Sequence, residues 1–142
     1  MSAVTLPGHG TVDVRVRPQS SSLALRLWAR VRPVVRGAWV TIGRTIYHPD
    51  DVAAPLTHAQ TLAHEQVHVR QWRRMGLSFA LKYATAQGRW EIEREAFLHE
   101  VVHFDRSIND CVNALASDLY RLKITREAMR DWFHQARQRA LS

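Results

Sequence analysis

Thr61-Leu62-Ala63-His64-Glu65-Gln66-Val67-His68-Val69-Arg70-Gln71-Trp72 is the stretch on which the reading of this chain turns. At about 100° of helical rotation per residue, Thr61, His64, His68, Gln71 and Met75 fall on one side. The pattern predicts a helix over 57–75, capped by Thr57 and stopped by Gly76. Residues four apart on a helix stand about 5–6 Å from one another, so His64 and His68 can offer two imidazoles to one zinc ion. Zinc with three protein ligands keeps a position for water, lowers the pKa of that water towards about 7, and needs a carboxylate nearby to take the proton. Glu65 holds that place, as the candidate general base.

Towards the N-terminus, Val34-Val35 lead through Gly37 into Trp39-Val40-Thr41-Ile42, and Gly43-Arg44 separates these from Thr45-Ile46-Tyr47. This is a hairpin or a bulged strand. Ser20 to Ser22 cap a short helix carrying Leu23, Leu25, Leu27, Trp28 and Val31, which ends at Pro33. Residues 1–18 hold Pro7, Gly8, Gly10 and Pro18 and read mostly as a mobile arm, although Val12, Val14 and Val16 alternate as an edge strand does. Towards the C-terminus the periodicity predicts helices over 77–86, 89–105, 107–121 and 124–140, with Gly76, Gly88 and Asp105 to Ser107 as breaks. The expectation is a single α+β domain over 1–142, a small antiparallel or mixed sheet with an edge strand, packed on a mostly helical body.

A third zinc ligand is expected from the helix that contains Trp90-Glu91-Ile92-Glu93-Arg94-Glu95-Ala96-Phe97. Trp90, Phe97, Val101 and Phe104 form its apolar stripe; Glu93 and Ala96 lie beside that stripe, while Glu91 and Glu95 point away. Glu93 is therefore the carboxylate carried inward, where a metal or a partner must offset the cost of burial. Glu91 is the reserve ligand, with Glu95 placed to brace a metal-bound imidazole.

His99-Glu100-Val101-Val102-His103 repeats the spacing of the first motif. Its imidazoles fall opposite the apolar stripe, and the only glutamate downstream is Glu127. The pair is expected to be exposed, or to place one His near a cleft, rather than to form the catalytic site.

The composition agrees with a folded unit: in 142 residues, 46% are apolar and 23% charged, which excludes a disordered chain. A single cysteine, Cys111, excludes a cysteine-rich zinc ribbon and reads as a small core residue. The net charge of +7 comes mainly from Arg. Arg70, Arg73 and Arg74, or Arg130, Arg137 and Arg139, form clusters, but no nucleic-acid recognition motif accompanies them. No stretch approaches the roughly 18 unbroken apolar residues of a membrane span, so neither a membrane nor nucleic acid is expected as partner, and the default location is the cytoplasm.

Three segments together resemble a known group. Ile42-Gly43-Arg44-Thr45-Ile46-Tyr47, Leu62 to Gln71, and Glu93-Arg94-Glu95-Ala96-Phe97 are similar to the minimal gluzincin metallopeptidases, the minigluzincins, over about residues 34–104. The resemblance implies a zincin-like fold, zinc held by His64, His68 and Glu93, and Glu65 as general base and acid. It also implies an edge strand over Ala38 to Tyr47 that aligns a peptide or protein substrate, and a form of latency in which a terminal segment fills the cleft. Many gluzincins carry an Asp four residues after the metal-binding Glu; Phe97 stands there, leaving the partner of His64 or His68 unassigned. The alternative class is a noncatalytic basic protein that binds nucleic acid or an acidic protein, with zinc structural or absent.

Overall fold

The alternation before Pro18 forms a strand. In this computed structural model, which describes residues 2–6 and 10–142, β1 (Ser2–Leu6) pairs antiparallel with β2 (Gly10–Pro18). After a 3-10 turn, Ser22 caps α1 (Leu23–Val31) by accepting from the Leu25 N–H. A turn over Pro33–Gly37 then leads to β3 (Val40–Ile42) and β4 (Thr45–His48). The sheet order is β1-β2-β4-β3, with β2 parallel and β3 antiparallel to β4. The fold is thus mixed α+β, with a small mixed sheet and six helices among the described residues. The expectation of a mobile arm is corrected for Gly10–Pro18: this segment is an interior strand whose Val14 is completely buried. Residues 7–9 lie outside the described residues.

The chain divides into two compact units, Met1–Gly76 and Leu77–Ser142. In the first, β3 and β4 make the expected hairpin, Ile42 facing Thr45 across Gly43-Arg44. Gly43 has φ +60°, a backbone region that side chains with a Cβ rarely enter. Val14 and Ile46 from the sheet meet Leu62 and Val69 from α2 (Ala59–Met75) to form the core of this unit, with Val16 and Trp39 at its margin. Thr57 does not cap α2. Its Oγ1 donates to the Ala54 carbonyl and closes the turn at Pro55–Thr57, so His58 becomes the first cap residue, without a side-chain bond. Gly76 ends the helix as expected, its N–H reaching the Trp72 carbonyl.

The second unit consists of α3 (Ser78–Tyr83), α4 (Ala86–His103), α5 (Ile108–Leu115) and α6 (Arg126–Leu141). Trp90, Phe97 and Val101, the expected stripe of α4, pack with Cys111, Val112 and Leu115 of α5 and Met129 and Phe133 of α6. Phe104 is only half-buried, at the C-cap of α4. Burial pushes the Cys111 thiol up to about 12, as suits a core residue and not a reactive one. Gly88 was expected to break the chain but lies within the first turn of α4, where its N–H is held by the Thr85 hydroxyl. A Cβ at that position would stand 1.8 Å from the Lys82 carbonyl oxygen, so the glycine serves the close approach of α3 to α4. The helix expected over 107–121 stops at Leu115, and the following loop is held by Arg89, which donates to the carbonyls of Tyr120 and Arg121.

Candidate metal centre

All residues from Leu62 to Val69 are buried, a run that winds twice round α2 and leaves none of its faces to solvent. Within it the helical i, i+4 relation brings the rings of His64 and His68 to 5.0 Å between centroids, edge to face at 79°. One ligand atom from each of His64, Glu65 and His68 lies within 4.8 Å of the others. Exposures of 6%, 5% and 5% put all three side chains out of bulk water. This buried group can hold a metal ion, and among the described residues no other cluster of three or more His, Cys, Asp or Glu does so.

Two neighbours orient the group. Gln71 Oε1, one helical turn after His68, accepts from His68 Nδ1 at 2.8 Å; an amide oxygen can only accept, which assigns a ring proton to Nδ1. The partner of His68, unassigned from the sequence, is thus Gln71 on the motif helix itself. Thr41, in β3, places its hydroxyl 2.6 Å from Glu65 Oε2 and 3.3 Å from the Glu65 carbonyl oxygen. Trp72 Nε1 donates to the Thr41 carbonyl at 3.2 Å, so β3, at the edge of the sheet, is fastened to α2 at two points. The periodicity had put Gln71 on the face of the histidines. Nothing in the sequence marked Thr41, whose link to Glu65 spans 24 positions and follows from strand placement alone.

In the second unit, Glu93 is 3% exposed, and Oε1 accepts from the Tyr83 hydroxyl at 2.6 Å. The facing argument therefore orders the burial of the three candidate acids, Glu91, Glu93 and Glu95, correctly. Glu95 is exposed, and Glu91 pairs at the surface with Lys82 Nζ at 2.6 Å and Gln87 Nε2 at 2.9 Å. The hydrogen bond from Lys82, with that from Gln87, holds the Glu91 carboxyl below the ordinary carboxylate range.

The second HExxH is exposed only in part. His103 is exposed, but His99 and Glu100 are buried. Ile92 and Ala96 precede His99 on the same side of α4 and are buried as well, a second apolar strip that a single-stripe reading passes over. Glu100 takes Arg106 Nη1 at 2.7 Å, and its carbonyl accepts the Arg106 and Phe104 N–H groups. Burial opposes the Arg106 charge, yet the Glu100 carboxylate raises the guanidinium above its ordinary pKa. Here the motif glutamate closes the end of a helix.

Set against protein-family profiles, curated proteins and solved structures, the chain finds no match.

Proposed function

We propose that this chain is a zinc metallopeptidase of the minimal gluzincin type, on the strength of the buried His64, Glu65 and His68 group. The donor set suits zinc, since imidazole nitrogen is a preferred ligand and Gln71 fixes the His68 tautomer that a ligand requires. His64 and His68 would hold the ion; Glu93, the third ligand that the resemblance implies, belongs to the second unit, where the Tyr83 hydroxyl donates to one of its oxygens. A bound zinc ion supplies a Lewis acid for the scissile carbonyl and acidifies the attacking water. Glu65 takes the proton of that water and returns it to the leaving amine, acting in turn as base and acid. Thr41 engages Oε2, so the second carboxylate oxygen, Oε1, performs the exchange. The edge strand β3, tied to α2 beside Glu65, offers backbone groups along which an extended peptide can align.

The test uses an unstructured protein substrate at neutral pH with the zinc-loaded chain. Wild type should generate new amino termini, read by mass spectrometry, and Glu65→Gln should keep its fold and zinc but generate none. A variant lacking residues 1–9, which keeps the interior strand β2 and its buried Val14, belongs in the same assay to relieve a blocked cleft. If every folded, zinc-loaded form is inert, or Glu65→Gln cuts as well as wild type, the assignment fails.

A further inference from the structure

α1 turns an apolar face outward. Leu23, Leu27 and Val31, spaced four apart, are 66%, 49% and 81% exposed, and Trp28 at their border is 38% exposed. Leu25 and Ala29, on the opposite side, are the residues this helix buries. Val34, just beyond the helix, is 44% exposed as well. On an ordinary amphipathic surface helix the outward face is polar, so this one is inverted for a protein surrounded only by water.

The stretch of chain that contains this helix carries charge of one sign. Between Asp13 and Asp50 the sequence holds Arg15, Arg17, Arg26, Arg30, Arg32, Arg36 and Arg44 and no Asp or Glu. By helical angle Arg26 and Arg30 flank the Leu23–Leu27 edge of the apolar arc. They continue, with Arg36, into a cavity of about 630 Å³ that is also lined by Ser20, Asp50 and Asp51. Asp50 is engaged there by the Ser20 N–H at 3.0 Å.

We propose that this face docks on an anionic phospholipid surface, its apolar arc entering the boundary of headgroups and acyl chains while Arg26, Arg30 and Arg36 meet lipid phosphates. A convex helix with apolar residues outward and arginines at the margin needs no complementary groove when the partner is fluid and negatively charged. A second copy of the chain would bring arginines against arginines across a two-fold contact, which like-charge repulsion opposes. No helix among the described residues is long and apolar enough to cross a membrane. Surface docking makes no such demand, and it revises the expectation of no membrane partner, which considered only spanning segments. The inference stands apart from the proposed hydrolysis and uses none of its residues.

The experiment is co-sedimentation of the full chain with vesicles of phosphatidylcholine alone, or of phosphatidylcholine and phosphatidylserine in equal parts, at low salt. The chain should pellet with the mixed vesicles and stay in solution with phosphatidylcholine. Leu27→Glu/Val31→Glu should weaken partitioning at least about tenfold. Arg26→Gln/Arg30→Gln/Arg36→Gln should weaken it roughly a hundredfold. All five positions are exposed, so circular dichroism should report an unchanged fold in both variants. Quenching by brominated lipid should fall in Trp28→Phe and not in Trp132→Phe. Wild type that ignores the mixed vesicles, equal binding to both vesicles, or unimpaired binding by Leu27→Glu/Val31→Glu would each overturn the proposal. So would self-association of wild type that this double variant abolishes, because the face would then belong to a second copy.

Discussion

The Thr41 hydroxyl, 2.6 Å from Glu65 Oε2, does for the proposed base what Gln71 does for His68: it fixes which atom is engaged and which performs chemistry. Neither residue is a ligand in the proposal, and both act by orienting one that reacts or binds. Thr41→Val keeps the shape of the side chain and removes its hydrogen bond. The variant should retain zinc and fold while kcat drops about tenfold with little change in KM, and Thr41→Ser should restore most of the rate. Unaltered kcat in Thr41→Val would show that the hydroxyl has no part in positioning Glu65. Gln71 was half legible in the sequence, since helical spacing put it on the histidine face without giving its role. Thr41 was illegible, because a threonine in a short strand carries no mark of the helix that strand will meet.

At the scale of elements, local pattern located the long helices and missed features set by packing. The helix bearing the first HExxH was expected over 57–75 and runs Ala59–Met75. Gly76 stops it, but the start depends on a 3-10 turn that takes the Thr57 hydroxyl for itself. Gly88 misled for a physical reason, since a glycine disfavours helix interiors by propensity, whereas this one is required by the neighbouring Lys82 carbonyl. Gly88→Ala should therefore destabilise the protein by about 3 kcal/mol, read as a lowered midpoint in urea, although alanine is the better helix former. A stabilised Gly88→Ala variant would contradict the close approach of α3 and α4. The strand at Gly10–Pro18 shows the reverse error: Gly and Pro suggested an arm, while Val14 and Val16 carried the alternation that the sheet uses. The burial of Glu93 between exposed Glu95 and surface-paired Glu91 was legible, because helical angle alone separates the three.

For the molecule as a whole, the sequence's two HExxH motifs have different fates. In the first, two imidazoles and a carboxylate converge in the interior of one unit. In the second, one imidazole is buried, the other is exposed, and the glutamate is spent on Arg106. The net charge, which suggested acidic partners only in general, is concentrated in the stretch from Arg15 to Arg44 that contains α1, a distribution invisible in the total of +7. In the proposed function the first motif, and not the second, is the zinc site. The direct measurement is a competitive zinc titration against a chromogenic chelator, for wild type, His64→Ala/His68→Ala and His99→Ala/His103→Ala. Wild type and the second double variant should bind one zinc ion per chain with similar affinity, while His64→Ala/His68→Ala should bind none. Zinc retained by His64→Ala/His68→Ala, or lost only from His99→Ala/His103→Ala, would contradict the account.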